Sequence, residues 1–243
     1  GHVLIIIIIE QLPRRRRGRD VVVVIIIGEE VVDGSHLLVA TGRRPNVAGL
    51  DLEKAGIDYS EKGIPVDARL RTSNKKVFAI GDVAGGFLFT HVAGYHAGVV
   101  IKNALFHLPA KADHSTVPWV TYTAPELAQV GLNEAGAKQA GKDFRVLRWP
   151  FHENDRAQAE GVTDGLVKAI ITPKGQILGC GIVGAHAGEL IQPWVLAMSE
   201  KLKIGAMATM IAPYPTFGEV SKRAASSFYA PSLFSDRTRK IVK

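Results

Sequence analysis

Two blocks of β-branched residues open the chain, Val3 to Ile9 and Val21 to Ile27, with Pro13, a run of arginines and Gly18 between them. Branched side chains fit a pleated surface, so this pattern predicts strand–turn–strand. A third apolar run, Leu37 to Ala40, follows a turn at Asp33-Gly34 and is broken by Gly42-Arg43-Arg44-Pro45-Asn46. Residues 1–46 therefore read as a three-stranded β-meander with no core of its own. The homopolymer blocks of residues 4–27 carry no chemistry in this reading.

The next apolar run, Val77 to Ile80, predicts a buried strand that ends at Gly81-Asp82 and a glycine-rich bend. "THVAGYHAGVVIKNALF" then predicts a helix with Thr90 as N-cap and small residues along its length. Pro118 opens a further unit. "WVTYTAPELAQVG" gives two strands around a turn at Ala124-Pro125, and Asn133 caps a short helix in "LNEAGAKQAG". "FRVLRWPF", "GLVKAIITP" and "QILGCGIVG" give three more strands, the last two joined by Pro173-Lys174-Gly175. A long helix is expected at 188–202 and another in "TFGEVSKRAASSF". Strand runs followed by helices indicate an α+β fold and not a repeated βαβ unit.

Composition narrows the picture. A hydrophobic share of 47% and a charged share of 22% are ordinary for a globular protein. No apolar run reaches the roughly 18 residues of a membrane span, and the arginines follow the first apolar run where a signal peptide would have them precede it. No membrane partner is expected. The single cysteine, Cys180, allows no intrachain disulfide and no cysteine-rich zinc site, which fits a reducing, cytoplasmic setting. The net charge of +7 sits largely in "RRRRGRD" and the tail "SDRTRKIVK", a hairpin tip and a terminus, so no nucleic-acid face is expected. His107, His114, His152 and His186 are scattered among turns without metal-ligand spacing, so no metal site is expected either.

One motif invites a nucleotide. Gly179-Cys180-Gly181-Ile182-Val183-Gly184 is a literal G-x-G-x-x-G, with Glu200 downstream. The dinucleotide fingerprint needs a parallel strand before the glycines and a second strand ending at the acid. Here the preceding strand follows a hairpin turn, and Glu200 falls within or at the end of a helix. These glycines are expected to serve close helix–sheet packing, with Cys180 as a small core residue.

Four other stretches carry a signal together: "LLVATGRRPN", "VFAIGDVAG", "VPWVTYTAPELAQVGLNEAGA" and "PYPTFGEVSKRAA". In this order and spacing, residues 36–230 resemble the second half of the flavin-dependent pyridine nucleotide–disulfide oxidoreductases, most closely the dihydrolipoamide-dehydrogenase-like and mercuric-reductase-like members. The resemblance implies a remnant of the NAD(P)-binding domain at 1–46, the C-terminal part of the FAD-binding domain at 47–114, and a dimerisation domain at 115–243. It implies a homodimer using FAD and NAD(P)H, with electrons passing to a disulfide or similar acceptor.

The resemblance also assigns residues. Gly81 and Asp82 would face the flavin ribitol, although Asp82 could instead cap a turn. The turn Thr90, His91, Val92, Ala93 would aim a helix start at the flavin pyrimidine, or His91 could simply be an exposed first-turn residue. Gly42 would lie in a turn near NAD(P), or merely end a strand. Tyr214 and Glu219 stand where the family has its acid–base histidine and the glutamate that orients it. A phenol with an ordinary pKa near 10 donates a proton but is a poor base at neutral pH, which argues against ordinary lipoamide or glutathione chemistry. Some mercuric-reductase-like relatives carry tyrosine here as well. The alternative is that Tyr214 packs in a dimer interface while Glu219 caps the helix after it. The paired C-terminal cysteines of mercuric reductases are absent, so mercury reduction is not expected. The glycine-rich FAD fingerprint and the redox cysteine pair are absent too, so the chain alone is expected to be inactive. A rival reading is a dimerisation module without cofactor, built on the apolar face of the 188–202 helix.

Overall fold

The computed structural model describes residues 42–242 and, before them, the strands β1 (Ile6–Ile9), β2 (Val23–Ile27), β3 (Glu30–Gly34) and β4 (His36–Val39). The turn expected between Pro13 and Gly18 lies outside the described residues. The chain divides into two compact units, Gly1–Ala112 and Asp113–Lys243.

In the first unit β2 pairs antiparallel with β3, and β1 with β4. A meander would have set β1 beside β2. Only two positions separate Ile27 from Glu30, which favours a local β2–β3 hairpin and leaves β1 to the later strand. From Gly42 onward the unit is held by turns around Leu52, Ile57, Ile64 and Ala79. Asp67 organises one of them: its Oδ1 accepts the backbone N–H groups of Arg69 and Arg71, and its Oδ2 accepts from Arg71 Nε at 3.1 Å. Partial burial pushes this carboxyl up, but the two backbone bonds and the Arg71 charge outweigh burial and hold it below the usual carboxylate range. The strand expected at Val77 to Ile80 reduces to one bridge between Arg71 and Phe78, flanked by Thr72 N–H to Val77 C=O and Ala79 N–H to Leu70 C=O. The turn at Asn74, whose carbonyl accepts from Val77, comes too early for the pairing to extend. Helix α1 (Thr90–Ala104) buries Val92, His96 and Val99.

The second unit is an α+β domain around one antiparallel sheet in the order β5 (Trp119–Thr121), β6 (Glu126–Gly131), β9 (Ile177–Gly184), β8 (Leu166–Ile171), β7 (Arg145–Pro150). Its neighbours pair antiparallel throughout. Helices α2 (Glu134–Gln139) and α3 (Asp155–Glu160) punctuate the strands; α4 (Ala187–Leu190), α5 (Gln192–Ser199), α6 (Ile204–Thr209) and α7 (Glu219–Ser226) follow them. Asn133 caps α2 as expected, accepting from Gly136 N–H at 2.8 Å. Against the sheet, α4 packs on β6 and β9, α5 on β9, and α7 on β7 and β8. Phe151, Val167, Ile182, Trp194 and Val220 are fully buried between them. The helix expected at 188–202 is in fact two, meeting at Ile191, because Pro193 in the first turn of α5 has no N–H to continue the ladder. Among the described residues no helix is long and apolar enough to cross a membrane.

The G-x-G-x-x-G motif lies in β9 with antiparallel strands on both sides, so no helix start follows it in parallel-sheet geometry. Its glycines press on neighbouring chain and not chiefly on a helix. A Cβ on Gly179 would lie 2.1 Å from the Leu132 carbonyl, and one on Gly184 would lie 2.5 Å from the Phe151 ring. Glu200 is the C-cap residue of α5. Cys180 is fully buried, and burial pushes its thiol well above the ordinary range.

Two outcomes follow from this packing. Gly184→Ala should destabilise the chain by about 1–3 kcal/mol in chemical denaturation, since the new methyl must displace the Phe151 ring. Cys180 should resist a thiol-reactive dye in native buffer at pH 8 and label stoichiometrically in denaturant.

Candidate functional site

In the first unit the bend after Ile80 forms a 3-10 turn, Gly81–Ala84, against the start of α1. Gly81 has φ of 66°, and a Cβ there would come within 2.9 Å of the Ala93 Cβ, so the turn and the helix can approach this closely only through a bare Cα. The Gly81 N–H donates to Nδ1 of His96 at 3.2 Å, and His96 is buried. That bond requires Nδ1 to be unprotonated. His96 is thus a supporting residue that sequence reasoning missed.

Asp82 projects outward from this turn. Arg43 donates from one guanidinium nitrogen to Asp82 Oδ2 at 3.2 Å and from the other to the Leu88 carbonyl. Both partners are about half exposed, so the pair contributes at most about 1 kcal/mol and can open for a competing partner. The neighbouring Gly42 has a left-handed φ of 112° with open space where a Cβ would stand.

Thr90 is the first residue of α1 and not its cap. Phe89, in extended conformation, holds the N-cap position, and its carbonyl accepts from both Val92 and Ala93 N–H at 3.1 Å. No side chain caps this helix start, so its first turn keeps the positive end of the dipole open to an electron-rich group. His91 is exposed and stacks on Phe89 at 5.0 Å between ring centroids. The Val92 side chain is buried, so only its backbone could meet a ligand.

In the second unit Tyr214 and Glu219 flank the segment leading into α7. Tyr214 is well exposed and joined to Pro215 by a cis peptide bond. Its hydroxyl donates to Asp155 Oδ2 at 2.8 Å, and Glu219 acts on it only through charge. The Asp155 bond, then the Asp155 charge, slight burial and the Glu219 charge all push the phenol above its ordinary value. Glu219 occupies the first turn of α7, with its backbone N–H directed to Thr216 C=O at 3.4 Å and no side-chain cap at Gly218.

Asn154 holds this segment. It is buried, caps α3 by accepting from Ala157 N–H at 2.9 Å, and donates its amide to the Thr216 carbonyl at 3.0 Å. Thr216 Oγ1 closes the loop on Pro213 C=O at 2.7 Å, and Phe217 packs near Phe151 and His186. The run "ENDRAQAEG" signals the cap by its residue types, whereas nothing in it signals the bond to a residue 62 positions away. A separate hollow of about 460 Å³ lies between the cis-linked Ala124-Pro125 turn, Val162 and His186, and none of the expected site residues lines it. Among the described residues no group of three or more His, Cys, Asp or Glu side chains could hold a metal ion.

The chain belongs to the pyridine nucleotide-disulphide oxidoreductase family, whose profile matches residues 5–97 and whose dimerisation-domain profile matches residues 117–225. A mercuric reductase of Staphylococcus aureus is 39% identical over 202 residues, covering 82% of this chain and 37% of that protein. A dihydrolipoyl dehydrogenase of Bacillus subtilis is 37% identical over 199 residues, covering 81% of this chain and 42% of that protein. Among solved structures, the Cu(II) complex of the HOCl-induced flavoprotein disulfide reductase RclA from Escherichia coli superposes with a TM-score of 0.79 at 28% identity, over 87% of this chain and 48% of that one. LpdA of Mycobacterium tuberculosis superposes with a TM-score of 0.77 at 28% identity, over 82% of this chain and 44% of that one. The chain thus spans less than half the length of these relatives.

Replacing Asn154 with alanine removes a helix cap and leaves the Thr216 carbonyl without its buried donor. The expected loss is about 2–4 kcal/mol of stability, read by chemical denaturation.

Proposed function

We propose that this chain forms part of an FAD-dependent oxidoreductase that carries electrons from NAD(P)H to a disulfide or related acceptor. The observation that carries the reading is the Gly81-Asp82 turn, which presents an exposed carboxylate beside the uncapped start of α1. In this reading Asp82 accepts hydrogen bonds from ribitol hydroxyls, which requires it to share or release Arg43. Backbone groups of the Thr90–Ala93 turn favour negative charge at the flavin pyrimidine. Gly42 belongs to the NAD(P) side. Bound FAD would supply two-electron chemistry between the nicotinamide and the acceptor. Tyr214 serves as the proton donor facing the acceptor, with Glu219 adding negative charge nearby.

The domain division carried by this proposal is the one the resemblance implies: 1–46 with NAD(P), 47–114 with FAD, and 115–243 for dimerisation. A homodimer is supported by the dimerisation-domain match and by exposed apolar side chains of the second unit, among them Ile211, Tyr122 and Leu196. A cytoplasmic setting accords with the single reduced cysteine. Since that one thiol is buried and can form no redox pair within the chain, these 243 residues alone are proposed to be inactive.

The test is FAD binding by the purified chain, followed by flavin fluorescence. Asp82→Ala should weaken binding about tenfold or more, the value of a hydrogen bond to a charged group. Equal affinity of the two chains would remove Asp82 from the flavin site. A chain that dimerises and takes up no FAD at any concentration would favour the cofactor-free dimerisation module.

A further inference from the structure

The residue at position 214 is expected, by resemblance, to pair with Glu219 five positions on. The structure pairs it elsewhere. Tyr214 donates to Asp155 at 2.8 Å, across 59 residues of sequence. Asp155 opens α3, and its neighbour Asn154 grips the Thr216 carbonyl at 3.0 Å. Two adjacent residues therefore fasten the Tyr214–Thr216 segment at two points, one at the backbone and one at the phenol. An exposed tyrosine on a free loop would sample several rotamers; here the ring has a defined anchor for its hydroxyl.

We infer that Asp155 is a positioning residue for Tyr214: by accepting the single phenolic proton it aims the ring and holds the phenol neutral, so that handing this proton to an acceptor requires the Asp155 bond to open. The inference rests on the acceptor-side role proposed for Tyr214 and adds the residue that orients it. Donation to Asp155 and proximity to a second carboxylate, Glu219, both oppose ionisation of the phenol, so the protonated form persists above the usual pH of about 10. By linkage, whatever stability the pair contributes is present below that pH and is lost as pH rises through the raised value. A phenol held in this way is a weaker acid than a free one and no base at neutral pH.

The test needs neither flavin nor acceptor, so its failure is separate from failure of the proposed function. Tyrosinate absorbance of the full chain is titrated against Tyr214→Phe, and the difference gives the ionisation of Tyr214 alone. Asp155→Asn, which keeps shape and removes charge, should lower that midpoint, and Asp155→Ala should lower it as well. Glu219→Gln should move it less. At neutral pH, where the fold is not at risk, the Cζ carbon resonance of ¹³C-labelled Tyr214 should shift in Asp155→Asn and hold in Glu219→Gln. A midpoint and a resonance unmoved by both Asp155 variants, or moved more by Glu219→Gln, would overturn the inference.

Discussion

The second unit depends on one hydrogen bond in its core. Trp194 is fully buried, and its indole N–H donates to Ser221 Oγ at 3.0 Å, also buried. A side chain this large brings the benefit of a large apolar burial, of the kind whose truncation costs about 3–5 kcal/mol. Its N–H must still find a partner, because an unpaired buried donor costs about 1–3 kcal/mol. Ser221 resolves the conflict and in doing so ties α5 to α7. Helix α7 then lies against β7 and β8, and its N-terminal turn carries Glu219 directly after the loop of Tyr214. The candidate acceptor-side residues are therefore set by a helix whose position is fixed from inside the core, while Asn154 fixes the loop from the opposite flank.

Much of the second unit was legible in the sequence for physical reasons. Its strands are short apolar runs bounded by turn residues such as Pro173-Lys174-Gly175, and Asn133 announces α2. The break between α4 and α5 was readable in principle from Pro193, but the surrounding helical pattern masked it. The first unit was less legible, since between Gly42 and Thr90 it is built from turns, a 3-10 turn and two isolated bridges whose partners are set by packing and not by periodicity. Thr90 illustrates a one-residue error at a helix start: the polar residue attracts the assignment, but the Phe89 carbonyl already closes the first turn.

The candidate site divides along the same line. Gly81 and Asp82 could be proposed from sequence because a turn after an apolar run and a lone carboxylate are local features. Their support could not. His96 lies 15 residues on, and Arg43 lies 39 residues back. Asp155 was invisible as a partner of Tyr214, because a hydrogen bond between distant segments leaves no trace in spacing. The two glycine signals make the contrast plain. The complete fingerprint in β9 meets neighbouring backbone, the Gln129 side chain and an aromatic ring, whereas the plain Gly-Asp pair sits at a helix mouth. Context of strand direction, and not completeness of a motif, separates them.

The sealed thiol in β9 has a practical consequence. With Cys180 inaccessible and no other cysteine in the chain, the native surface carries no competing sulfhydryl. A cysteine engineered into the exposed face around Tyr122 or Ile211 would accept a spin label or fluorophore at that one position. Distances between two such labels would then report directly on whether, and in what orientation, two copies of the chain come together.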